Sequence, residues 1–171
     1  MTNAVTLERA TSNQRPVIAS LMQFYIYDFT ELLAPDKIPE LLEAGHFDDY
    51  PYLDAYWTEP DRTPFVIRVD GKLAGFALLN KHSHIGRALD HNMAEFFIAR
   101  PFRRKGAARN AVHQLLAMHP GAWEVAIGSY NKPAQKFWPG AIAAAQNIDA
   151  LETLSGDGIS WTGPILRFVV R

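Results

Sequence analysis

Arg100, Arg103, Arg104, Lys105 and Arg109 gather around Gly106 in FIARPFRRKGAARNAVHQLLA, residues 97–117. The stretch passes from an apolar run through this charge into helical spacing, which predicts a strand, a glycine turn and a helix. Such a turn is a backbone anion site. The first N–H groups of a helix lack internal acceptors, the helix dipole is positive there, and a glycine without Cβ lets an anion approach the main chain. Guanidinium and ammonium groups nearby add charge-assisted hydrogen bonds. A solvated basic helix start is the alternative, at the expense of opposing the dipole. The turn is neither a GxxxxGK[ST] phosphate loop nor a GxGxxG fingerprint. Just upstream, Glu95 lies three positions before Ile98 in HNMAEFFIAR, and a carboxylate within a strand needs either a partner or a task.

The rest of the chain must position these groups. Its 171 residues are 48% hydrophobic with four Trp and ten Phe, enough for one domain over 1–171 with a real core. Seventeen basic against 18 acidic residues, net charge -1, argue against a general nucleic-acid or membrane-surface binder. No cysteine is present, which excludes disulfides, thiolate metal sites and cysteine nucleophiles. The leading MTNAVTLERATSNQ has no signal-peptide core and no run suits a bilayer span, so a cytoplasmic location is expected.

Val5 and Leu7 alternate with polar neighbours as in a strand. A helix follows, capped by Ser12 or Asn13, with Pro16 in its first turn and Ile18, Leu21, Met22, Tyr25 and Phe29 on one face. PDKIPELLEAG reads as a short helix and HFDDYPYLDAYWTEPDR as an aromatic, acidic loop. TPFVIRVDGKLAGFALLNKH is a hairpin about Asp70-Gly71. After the strand HNMAEFFIAR comes a helix from Gly106 to Met118 with Ala108, Val112, Leu115 and Leu116 as its stripe. AWEVAIGS is a strand, and NKPAQKFW opens a helix capped by Asn131 that Pro139 should stop or kink. ALETLS and ISWTGPILRFVVR close the chain as strands about a Gly-Asp-Gly turn. The order predicts one mixed α/β domain.

Arg103-Arg104-Lys105-Gly106-Ala107-Ala108 resembles the (Arg/Gln)-x-x-Gly-x-(Gly/Ala) motif of the GNAT superfamily of N-acetyltransferases. Ile98 stands where the family's preceding strand carries an apolar residue, GKLAGFALL resembles its paired strands, and NKPAQKFW is similar to its Asn-x-x-Ala-x-x-apolar-Tyr segment. The likeness spans roughly residues 5–140, and the ordered combination is more specific than the hexapeptide. It implies a mixed, mostly antiparallel sheet with splayed parallel central strands, flanked by helices. It also implies acetyl-CoA as cosubstrate and a primary amine as acceptor, joined by direct attack in a ternary complex without metal. The pyrophosphate would rest on N–H groups from Arg104 through Arg109, beside Arg103. Pantetheine would pair with the strand near Phe97 and Ile98, where an N–H would polarise the thioester. Asn131 would assist the cofactor or simply cap its helix.

Glu95 matches a common family position for the catalytic base, with a structural or substrate-orienting role as its alternative. Trp138 departs from the family's Tyr, the usual proton donor to the thiolate; beside the cofactor its indole N–H is no usable acid, which leaves Tyr130 as candidate. The acceptor should meet the segment holding Tyr25, Asp28, Glu31, Tyr50, Tyr52 and Trp57, where aromatics and carboxylates suit a cationic amine. His82, His84 and His91 lack an acidic ligand at a familiar spacing, so no metal is expected. A homodimer is a possible assembly. An acyl-CoA sensor without turnover and a phosphate- or nucleic-acid-binding module are the other function classes open to these residues.

Overall fold

Residues 4–171 are described by a computed structural model. Val5–Arg9 forms β1, an edge strand, and α1, Arg15–Phe29, follows. Pro16 sits in the first turn of α1, where its missing N–H costs no hydrogen bond, and the helix buries Ile18, Leu21 and Met22. A single turn, α2, Ala55–Thr58, precedes β2, Thr63–Val69, and β3, Lys72–Asn80. Asp70 (φ 50°) and Gly71 (φ 75°) adopt the left-handed geometry that their two-residue hairpin turn needs. β4, His91–Ile98, leads through the charged turn into α3, Ala107–Met118. β5, Gly121–Ala126, α4, Lys132–Ala143, β6, Ile148–Ser155, and β7, Pro164–Val170, complete the chain.

The strands form one seven-stranded sheet in the order β1-β2-β3-β4-β5-β7-β6. Every neighbouring pair is antiparallel except β4 and β5, which match only at His91–Trp123 and Asn92–Glu124 before they part. This is the mostly antiparallel sheet with splayed parallel central strands that the sequence resemblance implies. A bulge accompanies the parting: Leu79 faces Met93 but Leu78 faces Glu95, so Ala94 is an extra residue. Met93 packs with the α3 and α4 side of the sheet, whereas Glu95 reaches Tyr25 of α1 on the other. Two residues two apart face opposite sides only because the bulge resets the alternation.

Each face has its own core. Ala107, Ala111, Val112, Leu115, Trp138 and Ile142 cover one, and Ile18, Met22, Leu53 and Tyr56 cover the other against Val66, Phe76, Leu78 and Phe97.

Three expectations change. PDKIPELLEAG is not a helix; only Pro35–Lys37 forms a 3-10 turn, because Pro39 holds Ile38 extended (φ -69°, ψ 125°). Pro139 does not end α4, which runs on to Ala143 because Trp138, Ala141 and Ile142 are buried on both sides of the proline. Neither Ser12 nor Asn13 caps α1; both lie in a 3-10 turn, Ser12–Gln14, that Thr11 precedes as cap residue.

Gly75 lies opposite Ile98, and a Cβ there would stand 2.0 Å from the Phe97 carbonyl oxygen. Gly75→Ala is therefore expected to destabilise the fold by about 1–3 kcal/mol, read as a lowered urea midpoint.

Candidate active site

Ala99 donates to the Ala74 carbonyl at 2.7 Å, which fixes the phase of hydrogen bonding between β3 and β4. Phe97 is then turned toward β3, while the N–H and C=O groups of Phe96 and Ile98 face the gap left by β5. Arg103 Nε donates to the Ile98 carbonyl at 2.6 Å, and its guanidinium lies 5.5 Å from the Phe97 ring centroid. The Ile98 N–H has no strand partner on its side of β4, where the pairing with β5 has ended. A groove of about 500 Å³ runs along this gap, bordered by Phe96, Ile98, Arg104, Ala108, Asn131 and Trp138.

The charged turn closes one end of the groove. Gly106 (φ 81°) caps α3 in the left-handed region, and the space where its Cβ would stand is open. Ala107, Ala108 and Arg109 form the first turn, whose N–H groups have no intrahelical acceptor, and no other oxygen among the described residues takes them. Two of the five basic residues are already neutralised. Arg100 donates to Asp28 at 2.9 Å and to Glu31 at 3.0 Å, and Arg103 pairs with the second Asp28 oxygen. Arg104, Lys105 and Arg109 stay exposed around Gly106. Lys105, Gly106 and Arg109 border not the groove but a neighbouring hollow, with Asn110 and Gln114.

Glu95 lies where the groove meets a second cleft, of about 730 Å³; Tyr25, Phe29, Phe96, Asn131, Ala134 and Trp138 border both. The Tyr25 hydroxyl donates to Glu95 at 2.7 Å. Burial pushes the Glu95 carboxyl up from 4.5 to about 7, with hydrogen bonds from Tyr25 and Tyr50 opposing the rise. Burial and the neighbouring carboxylate raise the Tyr25 and Tyr50 phenols, so both remain protonated donors at neutral pH. Tyr130 is raised for the same two reasons; its ring packs over Gly128 and edge-on to Phe29 at 5.9 Å.

The far wall of the cleft is held by a different carboxylate. Glu124 of β5 is fully buried and accepts from Ser83 Oγ (2.9 Å), the His84 N–H (2.7 Å) and Arg167 (3.3 Å). These bonds fold the loop after β3 against β5. His84 packs edge-on to Trp161 at 4.5 Å, and burial lowers its pKa despite Glu124. Trp161 is presented by a loop in which Asp157 accepts from three successive N–H groups, Ile159 to Trp161, which hold its carboxyl down at about 2. Asn92 Oδ1 and Trp161 Nε1, both on residues bordering the cleft, are buried with no partner among the described residues.

The model of the acetyltransferase (GNAT) family matches residues 26–139, two thirds of the chain. The chain belongs to that family. No curated protein matches it in sequence. Solved structures similar to this GNAT chain include an acetyltransferase from Thermus thermophilus, at 14% identity and TM-score 0.65 over 98% of this chain and 97% of that one. The PaiA N-acetyltransferase of Thermoplasma acidophilum in complex with coenzyme A is similar at 7% identity and TM-score 0.62, over 98% and 99% of the two chains. An aminoglycoside acetyltransferase in complex with coenzyme A and kanamycin has 14% identity and TM-score 0.59, over 97% and 94%. At such identities the likeness is one of fold.

Within this GNAT fold, most residues singled out in the sequence border the groove or the cleft, while Lys105, Gly106 and Arg109 border neither and Ala107 is buried. Phe97, Ile98, Arg103, Arg104, Ala108, Asn131 and Trp138 line the groove. Glu95 and Tyr130 line the cleft, and Tyr25 lies between the two hollows. Asp28 and Glu31 also reach the groove, but in ion pairs with Arg100 and Arg103. Asn131 accepts from the Ala134 N–H at 3.1 Å, which is its cap role. Among the described residues no three His, Asp or Glu side chains form a metal-holding group. Arg62, Asn80, Asn92 and Trp161 also line the cleft and were not singled out. Only Arg62 carried a signal, as the cation ending the acidic stretch TEPDR.

A folded pKa above the unfolded one means that Glu95 favours the fold most below pH 4.5, and that this contribution fades as pH rises through 7. Glu95→Gln should therefore match its parent near pH 4 and exceed it by about 2–3 kcal/mol at pH 8 in urea unfolding. Tyr25→Phe removes a donor to the carboxylate and should raise the Glu95 pKa further, by about one unit in a carboxyl NMR titration.

Proposed function

We propose that this GNAT-family protein is an N-acetyltransferase, formed by the single domain 1–171, that moves the acetyl group of acetyl-CoA to a primary amine. The observation that carries this reading is Glu95, a carboxyl near pKa 7 where a groove with an anion-ready helix start meets a second cleft. A base of that strength can take a proton from an ammonium near neutrality and release it again.

The groove suits acetyl-CoA. The open first turn of α3, the bare Gly106 and the exposed Arg104, Lys105 and Arg109 would hold its pyrophosphate. The backbone of Phe96 and Ile98 offers pantetheine a strand edge. When bound, acetyl-CoA supplies an acyl group activated as a thioester. Ile98 N–H is the donor suited to charge developing on the acyl oxygen.

Glu95 takes a proton from the acceptor's ammonium and frees its lone pair. The nitrogen bonds the acyl carbon as the carbon–sulfur bond breaks, and the second nitrogen proton passes to solvent. Tyr130, still a phenol, gives its proton to the departing thiolate and regains one from solvent; Trp138 has no acidic proton to offer. Asp28 acts as a positioning residue, setting Arg103 on the Ile98 carbonyl, and Glu31 holds Arg100 beside it.

Glu95→Gln should lower kcat by about 10²–10⁴-fold on any accepted amine while leaving acetyl-CoA affinity in place. Unchanged kcat would remove Glu95 from the chemistry. Gly106→Glu puts a carboxylate into the anion cradle and should weaken acetyl-CoA binding on the order of a hundredfold in calorimetry. Tight binding of acetyl-CoA with no amine turned over would instead mark a sensor.

A further inference from the structure

The acidic, aromatic segment before the hairpin suggests an acceptor site for cations, but the cleft has a different charge pattern. Among the described residues, Glu95 is the one carboxylate bordering it, and Asp28 and Glu31 lie outside it. The one permanent cation among those residues is Arg62, whose side chain is only 22% exposed. The Arg62 guanidinium lies over the rings of Tyr52 (5.8 Å) and Tyr56 (5.4 Å) and donates from Nε to Glu59 at 2.6 Å. Neither terminal amino group of Arg62 is hydrogen bonded to a carboxylate among the described residues. Glu95 and Arg62 border one cleft together with Tyr50 and Tyr52.

A cleft with one anionic group, one cation and aromatic walls between them complements a zwitterion. A polycation would meet Arg62 and find a single carboxylate. A simple alkylamine would leave the two terminal amino groups of Arg62, which Glu59 does not take, without an acceptor in a partly desolvated site. A phosphate would call for more than one permanent cation, whereas a carboxylate matches the planar fork of a single arginine.

We propose that the acceptor is a primary amine carrying its own carboxylate, with the carboxylate on Arg62 and the amine toward Glu95. This rests on the acetyltransferase reading for its chemistry, but the binding subsite is testable without turnover.

The test is calorimetry on the CoA-saturated protein with reaction products of graded length: N-acetylglycine, N-acetyl-β-alanine and N-acetyl-4-aminobutyrate, each against its methyl amide. For at least one length the acid should bind about tenfold or more tightly than the amide. Arg62→Met should erase that preference, and Arg62→Lys should keep part of it. Circular dichroism and CoA affinity establish that each variant is folded. Equal binding of acid and amide by the parent at every length overturns the proposal, a result that needs no variant. So does a preference that survives intact in folded Arg62→Met. Turnover is scored separately, with glycine, β-alanine and 4-aminobutyrate against alkylamines of matched length. Selective binding of the acids without acetylation of any amine upholds the subsite and overturns the acetyltransferase reading.

Discussion

The parting of β4 from β5 after Asn92 is the constraint to which the rest of the molecule answers. A sheet interior normally consumes its backbone donors and acceptors, and opening it strands polar groups in apolar surroundings. Here the bulge at Ala94 bends β4 away and leaves the Phe96 and Ile98 main chain without strand partners on that side. Arg103 satisfies the Ile98 carbonyl, while aromatic rings from α1 and α4 line the opening. The same bulge turns Glu95 to the α1 side, away from the face that Met93 occupies. One inserted residue thus opens the groove and aims the carboxylate beside it.

The charge cluster divides along similar lines. Asp28 and Glu31 lie at the end of α1 and just beyond it, where negative charge opposes the helix dipole. Pairing with Arg100 and Arg103 offsets that and ties α1 to the end of β4. These pairs are substantially exposed, so their worth lies in geometry more than stability. What remains unpaired is concentrated at the start of α3, where it also opposes a dipole. A bound anion resolves both conflicts at once.

Much of this was legible in the sequence because it is local. Asp70-Gly71 dictates a hairpin turn, Gly106 a turn from strand into helix, and the helical spacing of Val112, Leu115 and Leu116 a buried stripe. The motif order around Gly106 carried the family as well. Partner choice was not legible. Tyr25 and Glu95 are 70 residues apart, Asp28 and Arg103 are 75 apart, and no local pattern pairs them. Asp28 and Glu31 read as free substrate carboxylates because the basic turn that claims them arrives far later in the chain. Pro139 misled for the converse reason: a local rule was overridden by the burial of Trp138 and Ile142 around it. Arg62 was hidden by net charge, since a single cation closing an acidic stretch averages away although its position does not.

Glu95 and Glu124 show how partners, rather than residue type, assign the roles. Both are glutamates on the two central strands, on either side of the parting. Glu124 is enclosed among Ser83, the His84 N–H and Arg167, so its charge is matched and its lone pairs are used in holding a loop. Nothing mobile can compete for it. Glu95 has no cation; burial alone would drive its proton affinity up, and the tyrosine hydroxyls pull it partway back. That balance leaves the proton weakly held in a group bordering a cleft. A cation at Glu95 would fix the carboxylate as Glu124 is fixed and remove its capacity to take a proton near neutrality. The placement of Arg62 beyond the tyrosines, paired through Nε with Glu59 rather than set against Glu95, leaves the Glu95 carboxyl without a cation and the terminal amino groups of Arg62 without a carboxylate among the described residues.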